Sequence, residues 1–127
     1  MKLTSKHYTE ADFNNCTPSC SMQDMNQSTI NMIDRMVDFL LQNKQRKPRI
    51  TCAYRTPEWD RARGRTGTGA HTKGMAVDLS CSTSRERFWL DRAINHVNCR
   101  RFGFNFQSNF VHVDNDTSLD QDVLFPY

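Results

Sequence analysis

Two short segments place the strongest constraint on how this chain can fold. Residues 75–79 form an apolar run interrupted only by Asp78, and such a run predicts a buried strand. Residues 110–114 alternate with period two, so a strand there carries His112 and Asp114 on one face and two valines on the other. The chain therefore has to fold so that polar side chains emerge from strands that also build the core.

A third polar residue precedes the first of these segments. His71 ends a glycine-rich loop, and Gly74 lets the backbone turn so that the side chains of His71 and Asp78 can converge. Two imidazoles and a carboxylate are the ligands that a catalytic zinc ion takes when a fourth position stays open. His71, Asp78 and His112 are therefore candidate metal ligands, although each alone is as typical of a loop or a strand interior.

The motifs around these residues resemble a known family. They are residues 52–59 (Cys-Ala-Tyr-Arg-Thr-Pro-Glu-Trp), the pattern His71-x-x-Gly74-x-Ala76-x-Asp78 and the pattern His112-x-Asp114. They resemble the zinc D-alanyl-D-alanine carboxypeptidases and related cell-wall peptidases, whose zinc site is similar to that of lysostaphin-type enzymes and the hedgehog signalling domain. The short, single-domain members carried by bacteriophages are the most similar. The resemblance implies one zinc ion, bound by His71, Asp78 and His112.

The resemblance also implies roles for two further residues. It assigns Arg55 to the substrate carboxylate or the oxyanion, and a guanidinium is well suited to either. The alternative for Arg55 is an ion pair with Glu58 or Asp60. Asp114 could orient a histidine ligand from outside the ligand set, or it could begin a turn with Asn115. We take Arg55 and Asp114 as the candidate catalytic residues.

The sequence departs from the family pattern at the position of the general base. Many members have Glu or Asp three residues before the last histidine, whereas this chain has Asn109, which cannot accept a proton. Gly69 stands where relatives often have serine. The identity of the base stays open, with Asp114, His96 and Glu58 as candidates.

The pattern of apolar residues predicts two helices. Apolar side chains at helical spacing follow Ser28 and Thr29, either of which can cap a helix that Pro48 would end. Thr83 and Glu86 form a capping box before the second helix. Residues 1–27 are rich in Asn, Ser and Thr and predict a polar N-terminal arm.

Four strands are predicted around these helices. They cover residues 49–54, 75–81, 102–106 and 110–114, and the last two form a hairpin. This order predicts an α+β fold with a small antiparallel sheet and helices on one face. The resemblance implies the same architecture, that of the hedgehog and D-Ala-D-Ala metallopeptidases. At 127 residues, the chain is expected to be one domain (1–127) and a monomer.

Composition limits where the protein is expected to act. No apolar run approaches the roughly 20 residues of a membrane span, and the N-terminal residues lack a secretory signal. We therefore expect synthesis in the cytoplasm of a bacterial host and action at the cell wall or periplasm after release, or from a virion. Reduced thiols are the default for the five cysteines, with Cys16 and Cys20 free or joined locally.

Three functions are compatible with the sequence. The resemblance implies a zinc peptidase that hydrolyses peptidoglycan stem peptides, as a D,D-carboxypeptidase or an endopeptidase, in phage-encoded lysis or entry. The alternative is a non-catalytic, zinc-containing module of the same fold that binds the cell wall. A net charge of +3 also suits nucleic acid, through Arg85, Arg87, Arg92, Arg100 and Arg101. Arginines on a helix are more typical of a solvated face, and we expect no nucleic-acid partner.

Overall fold

The structure is a computed structural model that describes residues 2–127. Its helices are α1 (Glu10–Asn14), α2 (Gln27–Gln42), α3 (Pro57–Arg61) and α4 (Ser84–His96). Its strands are β1 (Ile50–Cys52), β2 (Ala76–Ser80), β3 (Arg101–Asn105), β4 (Phe110–Asp114) and β5 (Val123–Leu124). Two 3₁₀ turns lie at Met22–Asp24 and Ala70–Lys73.

The strands form one open sheet in the order β1-β2-β4-β3-β5. The first four strands pair antiparallel, and β5 pairs in parallel with β3 at the edge. The predicted α+β class is confirmed. The prediction of a purely antiparallel sheet missed β5, because a strand of two residues gives no alternation to detect.

One face of the sheet packs against α2 and α4 and forms the core. The buried residues on this face include Val77, Leu79, Val111 and Val113, with Ile30, Ile33, Val37 and Leu40 from α2 and Leu90, Ala93 and Ile94 from α4. Each fully buried aliphatic side chain contributes about 1.5–3 kcal/mol relative to its exposed state. If β2 shifted by one residue, Val77 and Leu79 would move to the opposite face and Asp78 would enter the core. Burial of the valine and leucine therefore also fixes the position of Asp78 on the opposite face.

The helix ends show which capping signals act. Asn26, not Ser28 or Thr29, caps α2, because its side chain accepts a hydrogen bond from the Ser28 N–H. The helix ends at Gln42, well before Pro48, which therefore does not terminate it. The predicted capping box of α4 is present.

Residues 2–27 are more ordered than their polar composition predicts. Tyr8, Phe13 and Met25 from this segment are buried in the core. The Asp34 carboxylate on α2 accepts hydrogen bonds from Ser5 Oγ and from the N–H groups of Lys6 and His7. This packing is not apparent from the sequence, because the few apolar residues of the predicted arm lie among many polar ones. In the structure, these apolar residues pack the segment against the core.

Two further expectations concern the whole chain. All five cysteines are free. Among residues 2–127, no helix combines the length and the apolar character that crossing a membrane requires.

Candidate metal centre

The second face of the sheet carries a row of residues that the register places side by side. Cys52 of β1 pairs with Asp78 of β2, Asp78 pairs with His112 of β4, and His112 pairs with Gly103 of β3. Paired residues of neighbouring strands project to the same face. Asp78 and His112, predicted as ligands on separate strands, are therefore direct neighbours.

His71 reaches this row from the 3₁₀ turn Ala70–Lys73. The turn ends at Gly74, whose φ of 69° is left-handed and whose Cβ, if it had one, would overlap the carbonyl oxygen of Asp24. Only glycine fits that position without displacing the neighbouring chain. The predicted role of Gly74 in turning the backbone between His71 and Asp78 agrees with this geometry.

The three predicted ligands form a nearly equilateral triangle. His71 Nε2 lies 3.2 Å from Asp78 Oδ1 and 3.2 Å from His112 Nδ1, and His112 Nδ1 lies 3.1 Å from Asp78 Oδ1. Zinc bonds of 2.0–2.1 Å in a tetrahedron place ligand atoms roughly 3.3 Å apart. These distances fit a zinc ion bound by the three side chains.

Each histidine is oriented by a partner at its other nitrogen. His71 Nδ1 lies 2.6 Å from the carbonyl oxygen of Ala53, which can only accept, so this nitrogen carries the proton. His112 Nε2 lies 2.7 Å from Asp114 Oδ2. Each partner directs the remaining nitrogen toward the triangle, which is the arrangement that usually orients metal-binding histidines.

Asp114 is held in turn by a buried arginine. Arg101 Nε donates to Asp114 Oδ1 at 2.7 Å, and the same guanidinium donates to the carbonyl oxygen of Asp120. Both side chains of this pair are almost completely buried. From the sequence, Arg101 is one of five arginines considered for binding nucleic acid. In the structure, it instead contacts Asp114, the partner of His112.

Three more arginines of that group have contacts within the chain. Arg100 pairs with Asp122, and Arg92 lies 3.4 Å from Asp91. Arg87 lies over the Phe106 ring.

The charges of the centre shift two pKa values in opposite directions. Burial would raise the pKa of Asp78, but the charges and hydrogen bonds of His71 and His112 hold it well below its usual range. Burial would lower the pKa of His112, but hydrogen bonds with Asp114 and Asp78, and their charges, raise it. The metal-free centre therefore combines an ionised Asp78 with a readily protonated His112.

The raised pKa of His112 predicts that zinc stabilises the protein more as pH rises. In the metal-free protein, protonated His112 stabilises the fold below the ordinary histidine pKa, and this contribution is lost as pH rises through the raised folded pKa. Zinc must displace that proton, so its affinity falls as pH falls through the same range. Thermal midpoints with and without zinc, measured between pH 5.5 and 8, should diverge toward higher pH. A constant difference would contradict this coupling.

Cys52 is a possible ligand that sequence reasoning missed. Its sulfur lies within 4.8 Å of ligand atoms of His71 and Asp78, so these three residues could also hold a metal. His71 Nδ1 lies 3.8 Å from this sulfur, but it already faces the Ala53 carbonyl. Burial raises the pKa of the Cys52 thiol to about 12. Only the pairing of β1 with β2, which the sequence does not specify, brings Cys52 to the centre.

Arg55 lies at the same side of the centre as Cys52. Its main-chain N–H donates to the His71 carbonyl at 3.1 Å, and its Nη1 lies 3.8 Å from Cys52 Sγ. Its Nε lies 3.2 Å from the buried carboxylate of Asp60, so the ion pair weighed as an alternative is formed. Glu58 instead faces Arg61. The Arg55 side chain is thus mostly buried and lies in an ion pair with Asp60.

The candidate bases do not present a free carboxylate to the centre. Asn109 is exposed, and its φ of 58° belongs to the turn between β3 and β4. Glu58 is largely exposed, and His96 stacks on Phe39 on the helical side of the sheet. Asp114 lies near the centre, but its carboxylate is hydrogen-bonded to His112 and Arg101.

Comparison with known proteins agrees with this geometry. A sequence profile described as Peptidase M15 matches residues 6–114, which is most of the chain. The chain belongs to the Peptidase M15 family. It is thereby a zinc peptidase of the D-Ala-D-Ala carboxypeptidase type, as the sequence motifs indicated. No curated protein and no solved structure gives a significant match.

The family match covers every element that builds the centre. It extends from the N-terminal segment through β4, and so includes the two motifs with the candidate ligands. It ends at Asp114, so β5 and the residues that follow lie outside it. The M15 assignment therefore gives no account of residues 115–127.

Proposed function

We propose that the chain hydrolyses peptide bonds in peptidoglycan stem peptides, next to a D-amino acid, with one zinc ion held by His71, Asp78 and His112. The observation that carries the proposal is the triangle of ligand atoms with edges of 3.1–3.2 Å. The M15 family supports the reaction class. A phage setting, with release to the wall at lysis or from a virion, is part of the proposal and rests on the sequence resemblance.

The zinc ion, Asp114 and Arg55 would have different roles in the reaction. Zinc, when bound, supplies a Lewis acid that polarises a carbonyl and activates water. Asp114 keeps the Nδ1 lone pair of His112 directed at the centre. Arg55, held by Asp60, presents guanidinium N–H groups that can bind a peptide carboxylate or stabilise an oxyanion.

Replacing Arg55 with lysine should lower kcat/KM more than it lowers stability. Lysine keeps a positive charge near buried Asp60 but loses the planar fork, and one donor to an oxyanion is typically worth about 100- to 1000-fold in rate. Steady-state cleavage of a synthetic L-lysyl-D-alanyl-D-alanine peptide, together with urea denaturation, separates the two effects. Alanine is a poorer test than lysine, because it would leave Asp60 with only the more distant Arg65.

Arg65→Lys is the matched control, since Arg65 also faces Asp60, at 3.5 Å, but its side chain is about half exposed. We expect near wild-type rates for this variant. Equal rates for Arg55→Lys and the wild type would remove Arg55 from the mechanism.

Replacing Asn109 with aspartate should leave the rate within about twofold of the wild type. A positioned base is typically worth 10²–10⁴-fold, but only when it reaches the reacting group. Asn109 is exposed in a turn and its left-handed φ suits asparagine, so a carboxylate there would face solvent. A rate increase of tenfold or more would show that position 109 approaches the substrate.

The second candidate function is a cell-wall binding module without catalysis. The observation that favours it is that no candidate base presents a free carboxylate to the centre. Incubation of purified peptidoglycan fragments with the zinc-loaded protein, followed by mass spectrometry, separates the two. Loss of a D-alanine or cleavage of a cross-link supports the peptidase, whereas intact fragments with retained binding support the module.

A further inference from the structure

Residues 123–127 cover the part of the metal-bearing face that lies over β3. The N–H of Phe125 donates to the Phe102 carbonyl at 2.8 Å, which continues the pairing of β5 along the sheet edge. Gly103, the residue opposite His112, makes room for this segment. A Cβ at Gly103 would lie 2.6 Å from Phe125 Cβ, 2.8 Å from a ring carbon of Tyr127 and 3.1 Å from the Phe125 carbonyl oxygen.

The rings of Phe125 and Tyr127 form a row that begins at His112 and ends at the solvent-exposed side of the metal centre. The Phe125 ring meets the His112 ring edge to face, with centroids 5.2 Å apart. The Tyr127 ring lies 6.2 Å from Phe125 and 5.5 Å from Phe110. Tyr127 is 57% exposed, so it is accessible to a ligand at the rim.

The surroundings of the Tyr127 hydroxyl raise its pKa. Burial raises its pKa to about 12, and the charge of Asp78 adds to this while that of Arg55 opposes it. These charges belong to β2 and to the segment after β1, on the far side of His112 from Gly103. The hydroxyl is therefore protonated at neutral pH and can act as a hydrogen-bond donor.

We propose that Tyr127 is a substrate-positioning residue whose ring forms one wall of the cleft and whose hydroxyl donates to a carbonyl or carboxylate oxygen of the bound peptide. Cys52 and Gly103 end a row of four strands, so they lie three strand spacings, about 14 Å, apart. Arg55 lies beside Cys52, and Tyr127 lies over Gly103. A peptide on the ligand triangle would be held between these two side chains. The inference rests on the proposed peptidase function.

Tyr127→Phe in the zinc-loaded protein tests the inference. Loss of one hydrogen bond to the substrate should lower kcat/KM for the lysyl-D-alanyl-D-alanine peptide by about tenfold. It should weaken binding of the lysyl-D-alanine product, measured by calorimetry, by a similar factor. Zinc content and the thermal midpoint should not change, because the aromatic contacts with Phe110 and Phe125 remain. A purely structural role for Tyr127 would leave product affinity unaltered.

Tyr8→Phe is the matched control for loss of a hydroxyl. The Tyr8 hydroxyl donates to the Pro48 carbonyl at 2.8 Å, and the residue belongs to the core. Its removal should lower the thermal midpoint and leave kcat/KM unchanged. If Tyr127→Phe cleaves and binds product as the wild type does, this inference is wrong and the proposed function stands. If the wild type cleaves no peptidoglycan peptide, the proposed function fails and takes this inference with it.

Discussion

Asp78→Asn is expected to reduce the zinc content of the purified protein from about one equivalent to background, and to abolish hydrolysis with it. Asp78 Oδ1 is the vertex that both histidines approach within 3.2 Å. Its lowered pKa keeps the carboxylate ionised throughout the working pH range. The amide has nearly the same shape but no charge, so a buried zinc ion would lose its only anionic ligand. Elemental analysis after dialysis measures the effect.

Two companion variants make this result specific. Asp91→Asn removes a carboxylate of α4 that pairs with Arg92, so it should keep its zinc. Cys52→Ser should also keep its zinc, because it leaves the triangle of His71, Asp78 and His112 intact. Loss of zinc from Cys52→Ser, with retention in a His112→Ala variant, would instead support a site built from Cys52, His71 and Asp78.

Asp114→Ala should have the second largest effect, and it should act on both stability and zinc affinity. The variant leaves the buried Arg101 guanidinium without its carboxylate partner, which typically costs about 3–5 kcal/mol. It also releases His112 Nε2, and loss of such an orienting partner typically weakens metal binding about 10- to 100-fold. Urea denaturation of the metal-free protein and chelator competition measure the two losses separately.

Asp122→Asn provides the surface comparison, because Asp122 has a left-handed φ of 62° that asparagine also adopts. Asp122 pairs with Arg100, the neighbour of Arg101, but both side chains are at least half exposed. Exposed ion pairs contribute little, so this variant should resemble the wild type in both measurements. Comparable losses for Asp114→Ala and Asp122→Asn would contradict the role assigned to the buried network.

The main elements of the fold could be predicted because burial patterns are local. The alternation in residues 110–114 and the apolar run around Asp78 each indicated a strand, and the core confirms both. The capping box at Thr83 was equally direct. β5 was missed, since its two residues acquire their conformation only from pairing with β3.

Only those residues of the candidate site that belong to sequence motifs could be predicted. The approach of His71, Asp78 and His112 to one another agrees with the sequence prediction, although their role as ligands stays a proposal. The roles of Cys52, Arg101 and Tyr127 depend on register and on chain crossings, which no local pattern encodes. The sequence left the ion-pair partner of Arg55 open between Glu58 and Asp60, and only the folded contact with Asp60 decides it.

Titration of metal-free protein with zinc, while cleavage of the lysyl-D-alanyl-D-alanine peptide is followed by mass spectrometry, tests the central claim most directly. The proposed centre holds one zinc ion, so release of D-alanine should rise linearly and level off at about one equivalent. The Asp78→Asn protein should stay inactive at every zinc concentration. Full activity without zinc, or no activity at any zinc concentration, would contradict a zinc-dependent carboxypeptidase built on His71, Asp78 and His112.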